Sequence, residues 1–188
     1  MSKSVGNVIL AKHFYQKYGA NVLRYIFLNT HYNQVINFNE TIIQQASDYT
    51  QKIKYLLKRL KLYFYWQKEN IEPQKISQNS PFYPTTLQPL SDNLNTVKVF
   101  YYLDEIIYRL NKQLDEKEKY HQSQGENLIS QLASILYAVL VILGFKFELV
   151  NYDPPIYYLL DKWQRLRQSK QFTEADQIRK QLQEKDVI

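Results

Sequence analysis

Residues 41–66, TIIQQASDYTQKIKYLLKRLKLYFYW, decide the fold. Ile42, Ala46, Tyr49, Ile53, Leu56, Leu57, Leu60, Tyr63 and Phe64 recur at spacings of three and four. At about 100° per residue they fall on one stripe, which predicts a helix from Thr41 to about Trp66. Lys54, Lys58 and Lys61 follow i, i+4, i+7 and share a face beside that stripe. No Asp or Glu occurs from Tyr49 to Lys68, whereas six basic residues do. A long helix with one apolar stripe needs partner helices to cover it.

The flanking sequence supplies them. Upstream, Val8 to Tyr18 suits a short helix ended by Gly19, and Asn21 suits a cap for a second helix, Val22 to about Thr30. His31 to Asn39 is polar and turn-rich. Downstream, Pro73, Pro81, Pro84 and Pro89 crowd into residues 67–91, which read as a connection. Asn95 or Thr96 then caps a helix to about Leu114, whose buried side uses Val99, Phe100, Leu103, Ile106, Ile107 and Leu110. Asp115 to Gly125 reads as a charged loop or frayed helix end. Glu126 to Leu143 is an apolar helix stopped at Gly144. After a turn at Asn151 to Pro155, a helix reaches about Lys170. Thr173 opens the last one, with Asp176 in a box-like position. FKFELV, residues 145–150, is the one strand candidate and suits a connection equally. The expected class is all-α, a small helical subdomain followed by an antiparallel helix bundle.

Composition narrows the function. The 188 residues carry a net charge of +6, which fits a polyanionic partner without proving one. Cysteine is absent, so disulfides, thiolate zinc sites and thiol nucleophiles are excluded. His13, His31 and His121 are far apart and lack acidic neighbours at ligand spacing, so no metal site is expected. The most apolar run, Leu128 to Leu143, has 16 residues, fewer than the roughly 20 a membrane span needs. The N-terminus lacks the apolar core of a signal peptide.

The sharpest motif comes first. Met1-Ser2-Lys3-Ser4-Val5-Gly6-Asn7 matches the class I aminoacyl-tRNA synthetase signature KMSKS followed by [LV]GN, without its first lysine. A short loop carrying an ammonium group can close on a triphosphate and stabilise the charge that builds as pyrophosphate leaves. Three later blocks follow in order: NVLRYIFLNTHYNQVINFN (21–39), LSDNLNT (90–96) and ADQIR (175–179) with Leu182. Together the four resemble cysteinyl-tRNA synthetases over almost the whole chain. Arg24, Tyr25, His31, Tyr32, Asn37 and Phe38 are the matching positions of the second block. Asn33 and Val35 depart from the Arg and Pro expected there.

The resemblance implies specific roles. Residues 1–40 would be the ATP loop and stem-contact helices, and 41–188 an anticodon-binding type of bundle. Lys3 would be the catalytic contact, with Ser2 and Ser4 beside it on the ATP phosphates. ATP is expected as a substrate of the whole enzyme, and zinc only in a catalytic domain upstream. The expected partners are a cysteine-specific tRNA and that catalytic domain, in a cytoplasmic monomer with no membrane. Two basic rows are the candidate RNA contacts: Lys52, Lys54, Lys58, Arg59 and Lys61, then Lys162, Arg165 and Arg167, continued by Lys170. Each row suits an ordinary solvated helix face as well. Arg24 has apolar neighbours and suits an anchor to a bundle carboxylate. Asp176 and Arg179 are one turn apart and could pair. These residues alone should be inactive, and a ligase joining cysteine to an amino-sugar fits the bundle less well. The other reading is a free-standing, non-catalytic helical module that binds tRNA or a protein.

Overall fold

A computed structural model describes residues 10–67, 82–120, 126–147 and 152–188. The Ser2–Lys3–Ser4 loop, His121 and residues 148–150 of the strand candidate lie outside the described residues. The long helix forms as its spacing dictates: α3 runs Glu40–Gln67. Asn39 caps it, its side-chain oxygen accepting from the Ile42 N–H at 2.9 Å. Ahead of it stand α1 (Ala11–Tyr18) and α2 (Ala20–Leu28). After it come α4 (Phe82–Ser91), α5 (Thr96–Tyr120), α6 (Glu126–Ile142), α7 (Pro154–Gln168) and α8 (Phe172–Glu184). The architecture is all-helical among the described residues.

Three apolar clusters hold these helices. The largest joins the middle of α3 to α5 and α6, with Leu60, Leu103, Leu110, Leu132 and Leu136 fully buried. All six α5 positions expected to be buried are so, and Leu114 joins them. α6 is apolar on most sides and lies buried for that reason. A buried side chain of this kind contributes about 1.5–3 kcal/mol. The second cluster joins Leu62 of α3 to Leu160 and Leu166 of α7 and Ile178 and Leu182 of α8. The third ties Phe14, Val22 and Ile26 of α1 and α2 to Ala46 near the start of α3. α3 is therefore the shared wall of all three. Its single stripe predicted one core; Leu62 lies off that stripe and faces the second.

Four expectations change. The last part of the Pro-rich connection is helical: Thr86 is buried, and Leu87 and Leu90 pack on the main core, which outweighs Pro89 inside α4. α5 continues to Tyr120, through half of the segment expected to be a loop or frayed end. Asn21 lies within α2 rather than capping it. Thr173 lies within α8, where Gln171 takes the cap position without a side-chain hydrogen bond.

Three helices end in the same way. In the Schellman motif the second residue beyond the helix donates back across the last turn. Phe145 donates to Leu140 O, Gln171 to Leu166 O and Val187 to Leu182 O. The residue before each of these, Gly144, Lys170 and Asp186, takes a positive φ of 76°, 60° and 53°. Glycine suits that position; lysine and aspartate hold it against a steric cost.

Candidate nucleic-acid interface

The site is built on how α1 and α2 seat on the bundle. Asn21 clasps the backbone of one residue of the α6–α7 connection: its NH2 donates to Lys146 O at 2.7 Å and its oxygen accepts from Lys146 N at 3.1 Å. Three residues on, Arg24 donates to Leu143 O at 3.4 Å. Its guanidinium lies over Gly144 and against the end of α6, where unpaired carbonyls favour a cation. The expected partner was a carboxylate; the observed one is a helix terminus.

Two of the resembling blocks, far apart in sequence, meet here. Tyr32 donates to the Asn93 side-chain oxygen at 2.6 Å. The Thr96 hydroxyl donates to Leu28 O, at the end of α2. Asn95 caps α5 by accepting from Lys98 N at 3.0 Å. The LSDNLNT turn thus fastens the end of α2 to the start of α5. His31 stacks on Tyr32 and has its Nδ1 2.6 Å from the Asn33 side chain, so it is a structural histidine of this loop.

Beneath the seat lies an aromatic contact. Tyr25 stacks on Tyr49 with ring centroids 4.3 Å apart, and Phe100 meets both edge-on. Burial, then the negative charge of Asp104, pushes both phenols above their ordinary range. Both stay neutral at physiological pH, as a buried packing element should.

The α3 basic row has partners within the protein. Lys52 lies 3.3 Å from Asp104, and Arg59 reaches Asp115 at 2.7 Å and Asn111 at 2.9 Å. Lys58 lies 2.6 Å from the Asp186 carboxylate and Lys54 3.7 Å. Lys61 lies over the Tyr152 ring, and burial lowers its pKa. The row is an electrostatic seam that binds α5 and the residue after α8 to α3. Its acidic partners are 52 to 132 positions distant in sequence, which is why the row reads as unopposed there.

The α7 row is different. Lys162, Arg165, Arg167 and Lys170 are exposed, and none pairs with a carboxylate among the described residues. Arg165 donates to Asp161 O within its own helix at 3.3 Å. Arg167 lies over the Trp163 ring at 5.0 Å. Lys162 and Arg165 are about 60° apart around the axis, whereas Arg167 is about 140° from Lys162, on the side of the apolar stripe at the end of the helix. The first two form one outward face, and Arg167 belongs to another. Asp176 and Arg179 form no ion pair, and both are exposed. Ala175, Ile178 and Leu182 are what the ADQIR block buries.

Among the described residues no group of three or more His, Asp or Glu could hold a metal ion. No described helix is long and apolar enough to cross a membrane.

The first part of the chain resembles one protein class. Residues 1–48 match the family model described as the tRNA synthetases class I (C) catalytic domain, through α1 and α2 into the first turns of α3. Similarity along the whole chain is to one kind of synthetase. It is 33% identical over 190 residues to the cysteine–tRNA ligase of Mycoplasma mycoides subsp. mycoides, 36% over 190 residues to that of Mycoplasma capricolum subsp. capricolum, and 31% over 191 residues to that of Onion yellows phytoplasma. Each alignment covers 100% of this chain. The chain spans only about 40% of the length of these relatives. The resemblance to cysteine–tRNA ligases therefore holds along the whole chain and rests on a part of each relative.

Proposed function

We propose that this chain is the tRNA-binding, C-terminal part of a cysteine–tRNA ligase, whose whole enzyme activates cysteine with ATP and passes it to its tRNA. The observation that carries this is the unbroken similarity of all 188 residues to cysteine–tRNA ligases. The match of residues 1–48 to a catalytic-domain model speaks against a free-standing module, which would not need that segment.

In this reading residues 1–40 are the ATP loop and stem-contact helices, and residues 41–188 the RNA-facing bundle. Lys3, with Ser2 and Ser4, contacts the ATP phosphates. The seat formed by Asn21, Arg24, Tyr32 and Thr96 fastens α2 to the bundle. Lys162 and Arg165 are the phosphate contacts best supported, being exposed and unopposed by carboxylates among the described residues. Residues 1–188 alone catalyse neither step, because class I adenylate formation needs a nucleotide-binding domain. The enzyme acts as a cytoplasmic monomer, with any zinc in that other domain.

The test is binding of the chain to a cysteine-specific tRNA transcript and to an unrelated tRNA at two salt concentrations. Salt-sensitive binding with preference for the first is expected. Absence of binding at low salt rejects the RNA role. Cysteine-dependent ATP–pyrophosphate exchange by these residues alone would refute the division of labour.

A further inference from the structure

Asp186 occupies a backbone position that favours glycine, at φ 53° just beyond α8. Its carboxylate is held between two ammonium groups of α3, one turn apart. One oxygen lies 2.6 Å from Lys58 Nζ, the other 3.7 Å from Lys54 Nζ. Lys58 Nζ also donates to the Asp186 carbonyl at 2.6 Å. The Lys58 side chain is only 17% exposed, whereas that of Asp186 is 78% exposed. Lys58 is thus set into the protein, Lys54 stands half-exposed beside it, and the anion sits on the outside. Two charged donors gripping two oxygens of one small anion also describes a phosphodiester site.

The neighbouring cations make the contrast. Lys52 and Arg59 are matched by Asp104 and Asp115, both within α5. The Asp186 backbone caps α8, but its side chain is exposed, so a change of rotamer withdraws the carboxylate from its lysines and leaves the cap in place. We propose that Lys54 and Lys58 form a phosphate site that Asp186 occupies in the RNA-free chain, so that this carboxylate competes in cis with an RNA phosphate. This rests on the RNA-binding reading for the source of the phosphate, and goes beyond it in naming a site and its built-in competitor.

Asp186→Asn is the variant of choice. It removes the charge, while asparagine accepts the left-handed backbone. The first measurement is the thermal midpoint in rising inorganic phosphate, against chloride at matched ionic strength. Phosphate should raise the midpoint of the variant and not that of the native chain. Adding Lys54→Gln and Lys58→Gln should abolish the rise. The second is affinity for the cysteine tRNA transcript. The variant should bind about three- to tenfold more tightly at low salt, with a salt slope steeper by about 0.7–0.9 for each further phosphate neutralised.

Equal phosphate response in variant and native chain overturns the site. A phosphate response with unchanged tRNA affinity overturns the competition. If neither protein binds tRNA but phosphate stabilises the variant, the site stands and the RNA reading falls.

Discussion

Gly144 is confined from two directions. Its φ of 76° lies where side chains strain the backbone, and a Cβ there would stand 2.2 Å from Arg24 Nη1. Gly144→Ala must therefore strain the end of α6 and displace the guanidinium that binds it. The expected cost is about 1–3 kcal/mol, read as a lower denaturation midpoint in urea. The glycine is legible in the sequence as a helix stop. Its second duty is not, because Arg24 lies 120 positions earlier. A similar distance hides Asn21: as a polar residue ahead of an apolar run it reads as a cap, yet its amide matches both backbone groups of Lys146.

α3 shows how one element serves separate cores. Leu60 is fully buried among α5 and α6, while Leu62, two residues on, faces α7 and α8. Leu60→Ala should lower global stability by about 2–5 kcal/mol. Leu62→Ala should instead speed hydrogen exchange in α7 and α8 more than in α5 and α6, because the second cluster is smaller. α8 has an electrostatic tie as well. The hydrogen bond from Lys58, with the charges of Lys58 and Lys54, holds the Asp186 carboxyl below its ordinary range. Its folded pKa is thus lower than its unfolded one. The stabilisation is fully present above the unfolded value, about 3.9, and is lost as pH falls through the folded value. Below about pH 4 the native chain should lose its advantage over Asp186→Asn, which thermal melts across the acid range would show. A flat difference between the two at all pH values would remove the ion pair from the account.

A formal charge of +6 is distributed so that, among the described residues, α3 is largely neutralised and α7 is not. Phosphate affinity should follow that division. Replacing Lys162 and Arg165 together with Ala should weaken tRNA binding and reduce the salt slope by about 1.4–1.8, the share of two phosphates. Replacing Lys52 should change binding little, since Asp104 already meets it. A reversed ranking, read by the same titrations, would move the RNA face to α3. Both rows look alike in sequence, as clusters of Lys and Arg at helical spacing. Only the fold shows which has carboxylates opposite.

Periodicity, cap residues and glycine stops in the chain were enough to establish the helices, the all-α class and most of the buried positions, because these depend on neighbours within one or two turns. The four motif blocks were enough to point to the resemblance to cysteine–tRNA ligases that the comparisons bear out. What required the assembled tertiary structure was every pairing between distant segments: α4 held helical by the core despite its prolines, Tyr32 joined to Asn93, Arg24 set on the end of α6, and Asp186 placed on Lys54 and Lys58. Local interactions are written in residue spacing. Charge neutralisation and anchoring depend on which surfaces packing brings together, and no short stretch of sequence carries that information.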